Sequence, residues 1–156
     1  MFGKYKRKII AGIIVLVAVL VVSVGIIAFL SKVHYKSRVA IDGKVFMVDI
    51  ADTDYLLQKG LSGRSLIFND KGMLFAFKKP DTYGFWMKDM LFAIDILWID
   101  ENLKIVYIEK AVSPQSYPKI FTPDQKSLYV LELAPGQSDI LNIKIGDSVQ
   151  IIKRYL

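Results

Sequence analysis

Carboxylates interrupt otherwise apolar stretches of this chain at three positions, and these are the residues whose chemistry most needs an explanation. Asp95 lies in the run from Leu91 to Ile99, whose other members are all apolar. Glu132 and Asp49 interrupt two further apolar runs. Burying an ionised carboxylate without a partner costs several kcal/mol. We therefore expect each of the three to be paired or to have a raised pKa.

Two cations and one aromatic ring are suited to complete a site around these carboxylates. Arg64 and Lys88 lie beside turns, and an arginine can bind both oxygens of a carboxylate. Trp86 would supply an aromatic wall. Three roles stay open: a polar network that fixes strand register, a pocket for an anionic or polar ligand, or acid–base catalysis by two carboxylates. The candidate ligand-binding residues are Arg64, Trp86, Lys88, Asp95, Glu132 and Asp49.

The composition excludes several classes of site. The chain contains no Cys, and its single His is His34. Disulfides, thiol catalysis, a Ser-His-Asp triad and a His-rich metal site are therefore excluded. Asp52 and Asp54 are the residue type that binds Ca²⁺, but this spacing is more typical of a helix cap. We predict no metal and no cofactor, and nothing in the spacing of the carboxylates requires catalysis.

The positive charge of the chain is concentrated near its N-terminus. The formal net charge is +6, yet residues 39–156 carry 14 Lys and Arg against 15 Asp and Glu, a net charge of −1. The remaining seven cations flank an apolar segment, where Lys and Arg meet anionic lipid headgroups. Nucleic-acid binding is therefore not expected.

That apolar segment, Ile9 to Leu30, predicts a single transmembrane helix. Its 22 residues carry no charge, and a helix of this length reaches about 33 Å, enough to cross a hydrocarbon core of about 30 Å. A cleaved signal peptide would have a shorter apolar region and a small-x-small cleavage site. The flanking cations favour a cytoplasmic N-terminus. The predicted organisation is a cytoplasmic tail (1–8), a lipid-contacting transmembrane helix in the cell membrane (9–30), a polar stalk (31–38) and an extracytoplasmic β-rich domain (39–156).

Short apolar runs separated by turn residues predict a mainly β domain. Asp42-Gly43 is typical of a type I′ hairpin turn, and Asp54 to Lys59 is a short helix that Gly60 would end. Turns recur roughly every ten residues, which favours a compact β-sandwich or barrel-like domain with one or two short helices. Loops are predicted at 78–84 and 113–126. The predicted strands cover 39–41, 44–50, 73–77, 85–87, 91–99, 103–112, 127–133 and 148–153.

A set of short motifs, in order from about Val45 to the C-terminus, resembles the domain of unknown function 192 family. The matching residues are Gly60-Leu61, Arg64, Gly72 to Phe75, Phe85 to Lys88, Leu91 to Ile99 with Asp95, Tyr129 to Leu133, and Gly146-Asp147. The resemblance implies a small β-rich domain, often secreted or membrane-anchored, with no established activity. The chain departs from the family at Asp89-Met90, where Asn-Thr is usual. It also lacks the Cys that many members carry in the loop at 113–116.

Taken together, the sequence predicts a membrane-anchored extracytoplasmic module that binds a small ligand, an envelope component or a partner protein. The alternative is a carboxylate-based hydrolase that acts on envelope polymers or glycans. The deciding geometry is whether Arg64, Lys88, Asp95 and Glu132 converge in an open cleft or pair off inside a closed core.

Overall fold

The computed structural model describes residues 37–152, which fold around one seven-stranded sheet. The predicted tail, the predicted transmembrane helix and the stalk up to residue 36 lie outside the described residues, as do residues 153–156. Ser37 and Arg38, assigned to the stalk from the sequence, already belong to the first strand. Between residues 37 and 152, no helix has the length and apolar character needed to cross a bilayer.

The sheet is mixed, with one parallel pair among antiparallel neighbours. The strands are β1 (Ser37–Ile41), β2 (Lys44–Ala51), β3 (Lys71–Asp81), β4 (Ile94–Ile99), β5 (Ile105–Val112), β6 (Ser127–Leu133) and β7 (Val149–Ile152), and the helices are α1 (Asp54–Lys59) and α2 (Gln137–Ile140). The strand order is β5-β4-β6-β3-β2-β1-β7. Only β2 and β3 run parallel, which requires a crossover connection, and α1 lies in that connection.

The sheet is curled into a half-barrel, because its two edge strands meet at one end. Lys104, just before β5, pairs with Ser148, just before β7. The Ile105 amide donates to the Asp147 carbonyl at 3.1 Å, and the Val149 amide donates to the Leu103 carbonyl at 2.8 Å. Of the two predicted architectures, the barrel-like one therefore describes this domain. The β-sandwich is wrong, since the strands form one sheet.

The predictions that depend only on local turn and helix-cap residues are confirmed. Asp42 and Gly43 both have positive φ angles, 45° and 76°, as a type I′ turn requires. Helix α1 has the predicted bounds, with the Thr53 hydroxyl accepting from the Leu56 amide at its start and Gly60 at its end. Predictions that depended on pairing partners were less accurate. Strand β3 continues through the predicted loop to Asp81, and of the predicted strand 85–87 only Phe85 pairs, with Phe121.

Both faces of the curled sheet are apolar, and alternation along the strands assigns side chains to them. The concave-face core includes Ile105 and Val149 from near the edges together with Leu97 and Leu131. The convex-face core includes Met73, Phe75, Ile96 and Val130, and α1 packs on it through Leu56 and Leu57. All six residues of β4 are buried, because the two apolar clusters cover both faces of this strand. The convex face is thus covered by a short helix and loops, and these elements form the walls of the candidate site.

Candidate functional site

Glu132 is a buried carboxyl group on the convex face of the sheet. It lies on β6, and its neighbours on the two adjacent strands are Met73 on β3 and Ile96 on β4, both apolar. The residue is only 5% exposed, and its Oε2 has no hydrogen-bond partner within the described part of the chain. Burial raises the pKa of Glu132 to about 8, although the positive charge of Arg64 acts in the opposite direction. At neutral pH the group is therefore mainly a protonated carboxylic acid.

A cavity of about 140 Å³ lies against this carboxyl group. It is bounded by the end of α1 and the residues after it, by β3, and by the loop before β4. Its aromatic residues are Phe75, Phe77, Tyr83, Phe85 and Trp86, and Glu132 is the acidic residue in its lining. The polar remainder of the lining consists of Gln58, Lys59 and Ser62. One carboxyl group thus faces a small chamber whose walls are mainly aromatic.

Gly60 keeps the approach to Glu132 open. A Cβ at this position would lie 3.1 Å from Cζ of Phe75 and 4.0 Å from Oε2 of Glu132. Its φ angle of +50° is also one that a residue with a side chain rarely adopts. The glycine that ends α1 therefore also leaves space beside the buried carboxyl group.

The aromatic walls are fixed to one another and to the sheet. The Phe85 ring meets Phe75 edge-on at 4.8 Å between centroids, and it meets Trp98 in the same way at 5.8 Å. Phe77 and Tyr83 are stacked. The Trp98 indole donates to the Tyr83 carbonyl at 2.8 Å, which ties the loop to β4. Trp86 is different, because it is 48% exposed at the cavity.

Arg64 pairs with Asp49 beside the cavity. Its Nη1 lies 2.9 Å from Oδ2 of Asp49, and both side chains are partly exposed. Asp49 and Glu132 are both cross-strand neighbours of Met73, so the two carboxyl groups lie in one row across the convex face. A carboxylate–arginine pair was expected from the sequence, and the structure assigns it to Asp49. An ion pair this exposed contributes roughly 1 kcal/mol or less.

Asp95 serves a different purpose on the concave side. It is fully buried, and its Oδ1 accepts from the amides of Ala111 at 2.8 Å and Gly136 at 3.0 Å. Its Oδ2 accepts from the Ser138 amide at 2.8 Å. The expected cationic partner is therefore wrong for this residue, because backbone N–H groups satisfy the carboxylate. The three bonds fasten β5 and the start of α2 to β4.

The structure brings together only part of the predicted site. Trp86 and Glu132 line the same cavity, and the Arg64–Asp49 pair lies next to it. The Lys88 side chain is exposed and forms no ion pair among residues 37–152. Lys88 and Asp95 do not line the cavity. The ligand-binding role assigned to the six residues stays a prediction.

Sequence reasoning missed the aromatic walls and Gly60. Phe75, Phe77 and Phe85 fall in the predicted strands 73–77 and 85–87, which gave no sign of a cavity, and Gly60 was interpreted only as the end of a helix. The signal that pointed to the cavity was local, namely the run Tyr83-Gly84-Phe85-Trp86 after a proline-containing segment. Three aromatic residues in a loop have no strand face to share, so their rings must cover another surface.

The chemistry that this arrangement supports is limited to one acid. Glu132 can donate one hydrogen bond and accept another, or transfer a proton. Among the residues that the structure describes, the cavity lining contains no second carboxylate. Within the described chain, no three His, Cys, Asp or Glu residues are grouped to hold a metal ion.

Comparison with known proteins identifies one family model and two solved structures that are similar to this chain. The DUF192 family model, described as "Uncharacterized ACR", matches residues 37–151. A crystal structure of a protein of unknown function from Novosphingobium aromaticivorans is 28% identical, with a TM-score of 0.69, and the match covers 72% of this chain and 83% of that one. A putative transcription regulator from Sinorhizobium meliloti is also 28% identical, with a TM-score of 0.70, and covers 76% of this chain and 95% of that one. No curated protein matches.

The raised pKa of Glu132 predicts how stability depends on pH. Between the ordinary pKa of 4.5 and about 8, the folded state holds a proton that the unfolded state has released. The contribution of Glu132 to stability is therefore most favourable below about pH 4.5 and is lost as the pH rises to about 8. Glu132→Gln, which has no proton to lose, should gain roughly 3–5 kcal/mol relative to wild type across this window.

Chemical denaturation of both proteins at several pH values measures this difference. Glu101→Gln, in an exposed turn, is the matched control and should follow the wild-type curve. Parallel curves for wild type and Glu132→Gln between pH 5 and pH 8 would contradict the assignment of a buried, protonated Glu132.

Proposed function

The chain belongs to the DUF192 family of uncharacterised proteins, and on that premise we propose that residues 37–152 form a ligand-binding module whose site is the cavity at Glu132. One observation carries the proposal: Oε2 of Glu132 is buried without a hydrogen-bond partner among residues 37–152, beside an aromatic-lined cavity. Buried polar groups in folded proteins nearly always have partners. A ligand that enters the cavity would supply the missing one.

A purely structural role for Glu132 explains the geometry less well. A polar network that fixed strand register would pair the carboxyl group, as the three backbone amides pair Asp95. Glu132 instead lowers stability at neutral pH by remaining buried among apolar residues. Residues that lower the stability of a fold are concentrated at functional sites.

The cavity is suited to one small group. Pockets that enclose a drug-sized ligand occupy about 300–1,000 Å³, and this one measures about 140 Å³. A single ring or end group would fill it, while the rest of a larger ligand extended past the exposed Trp86. The site would therefore recognise one unit or one end of an envelope component.

We also propose that the module is tethered to the outer face of the cell membrane. The support is the sequence alone: an uncharged segment at residues 9–30 with four cations before it and three after it. The name of the Sinorhizobium meliloti relative, a putative transcription regulator, does not alter this proposal. Residues 39–156 carry a net charge of −1, and DNA-binding domains normally carry a basic surface.

A carboxylate-based hydrolase, the alternative from the sequence, has weaker support. The raised pKa of Glu132 suits a general acid. Glycoside cleavage by the usual mechanism needs a second carboxyl group on the other side of the bond. Glu132 is the acidic residue in the cavity lining, and Asp49 is paired with Arg64. The arrangement therefore favours binding.

The Trp86 ring should contribute to binding without contributing much to stability. A ligand-observed NMR screen of the full chain in lipid nanodiscs, with a library of neutral, cationic and anionic fragments, would identify binders. Trp86→Ala should weaken them about tenfold or more, while the free energy of unfolding changes by about 1 kcal/mol or less because the ring is half-exposed.

Phe68→Ala is the matched control for this experiment, since Phe68 is 63% exposed and does not line the cavity. It should leave fragment binding unchanged. Equal loss of binding in both variants, or no loss in either, would place the binding surface somewhere other than the cavity at Glu132.

Membrane attachment is tested separately by fractionation. The full chain should sediment with membranes and resist an alkaline carbonate wash, whereas a chain without residues 1–30 should stay in the supernatant. In cells stripped of their wall, an external protease should degrade the domain. A full-length chain that carbonate releases, or a domain that the protease cannot reach, would contradict the proposed tether or its orientation.

A further inference from the structure

The charges around Glu132 make the cavity unfavourable for a cation. Lys59, at the end of α1, lines the cavity, and the charge of Arg64 reaches Glu132 from the segment after α1. Asp49 on β2 faces the same row but is bonded to Arg64. An ammonium ligand would therefore meet Lys59 and would have to displace the proton of Glu132.

The other elements packed against Glu132 place no further charged residue in the described lining of the cavity. Its neighbours on β3 and β4 are apolar, Met73 and Ile96. The Tyr83 hydroxyl donates to the Lys79 carbonyl at 2.7 Å. Glu109, opposite Ile96 on β5, accepts a hydrogen bond from the Tyr107 hydroxyl. An anionic ligand would gain from Lys59 but would be desolvated beside a carboxyl group, which is also unfavourable.

The hydrogen-bonding capacity of the site matches a hydroxyl group. A protonated carboxyl group offers one O–H donor and a carbonyl acceptor, and a hydroxyl both donates and accepts. The unpartnered Oε2 of Glu132 and the exposed Gln58 amide are both in the lining. A ligand with several hydroxyl groups would satisfy both without introducing a charge.

The aromatic walls suit the apolar face of a ring that carries such hydroxyl groups. Sugar rings present C–H groups on one face, and these pack favourably on the electron-rich faces of aromatic rings. Trp86 and Phe85 offer rings beside the carboxyl group, and the volume of about 140 Å³ has space for one ring rather than a chain.

From this combination we propose that the cavity binds an uncharged, hydroxylated ring, such as one sugar unit of a glycan, through Glu132 and the aromatic walls around it. The inference rests on the proposed function and names the ligand class of the same site. A site of this kind would bind neither an organic ammonium ion nor a carboxylate in preference to the uncharged ring.

The sign of the pH dependence separates these classes. The probes are methyl glycosides of glucose, galactose and N-acetylglucosamine, with choline and acetate as ionic probes, titrated against the full chain in nanodiscs that lack choline lipids. At least one glycoside should bind at pH 6 with a roughly millimolar Kd. Because Glu132 ionises with a pKa of about 8, the affinity of the protein for this glycoside should fall about tenfold by pH 9.

Two substitutions of Glu132 test whether its hydrogen bonds carry the recognition. Glu132→Leu should lose glycoside binding. Glu132→Gln keeps a donor and an acceptor without a charge, so it should restore binding relative to Glu132→Leu and remove the pH dependence. Glu101→Gln should keep the wild-type pH dependence.

The possible failures are distinguishable. Choline binding that strengthens as the pH rises, or acetate binding in preference to the glycosides, would overturn the ligand class. The proposed site would survive if Trp86→Ala still weakened that binding. Glycoside binding that neither Trp86→Ala nor pH affects would overturn the ligand class and the proposed site together. No binding by any of these probes would overturn the ligand class alone, because the fragment screen tests the site independently.

Discussion

Desolvation of one carboxyl group is the constraint on which the rest of this site depends. Glu132 lies on a strand in the middle of the sheet, with apolar residues on both neighbouring strands. The covering helix and loops remove it from water but give Oε2 no partner. The group responds by keeping its proton to about pH 8. Burial therefore converts an ordinary glutamate into an uncharged donor at neutral pH, at a cost to the stability of the fold.

Asp95 shows that burial alone does not produce this result. It is as deeply buried as Glu132, yet three backbone amides satisfy its oxygens. The difference lies in what covers each face. On Asp95's side, the end of β5 and the start of α2 direct N–H groups toward the carboxylate. On the convex face, the end of α1 and an aromatic loop surround Glu132 and leave a cavity. Asp95 is thus explained by the architecture, whereas the unsatisfied carboxyl group of Glu132 is the basis for the proposed ligand site.

Local chemistry made part of this domain predictable from its sequence. The Asp42-Gly43 turn and helix α1 follow from positive φ angles and capping. The parallel pairing of β2 and β3 and the strand order depend on contacts between distant segments. The same holds for the partners of Asp95, which lie at least 16 residues away in the chain. The cavity could not be predicted from the sequence for the same reason. Its walls come from α1, β3 and a loop, and no periodic pattern in the sequence connects these segments.

The protonation state of Glu132 is the central claim, and it can be measured directly. The side-chain carboxyl carbon of glutamate shifts in ¹³C NMR as the group ionises. A titration of the full chain, with Glu132→Gln used to assign the signal, would report its pKa. We expect a midpoint near pH 8, well above the ordinary value of 4.5. A midpoint near 4.5 would show that Glu132 is solvated or paired in the folded protein, and it would contradict the account of this site.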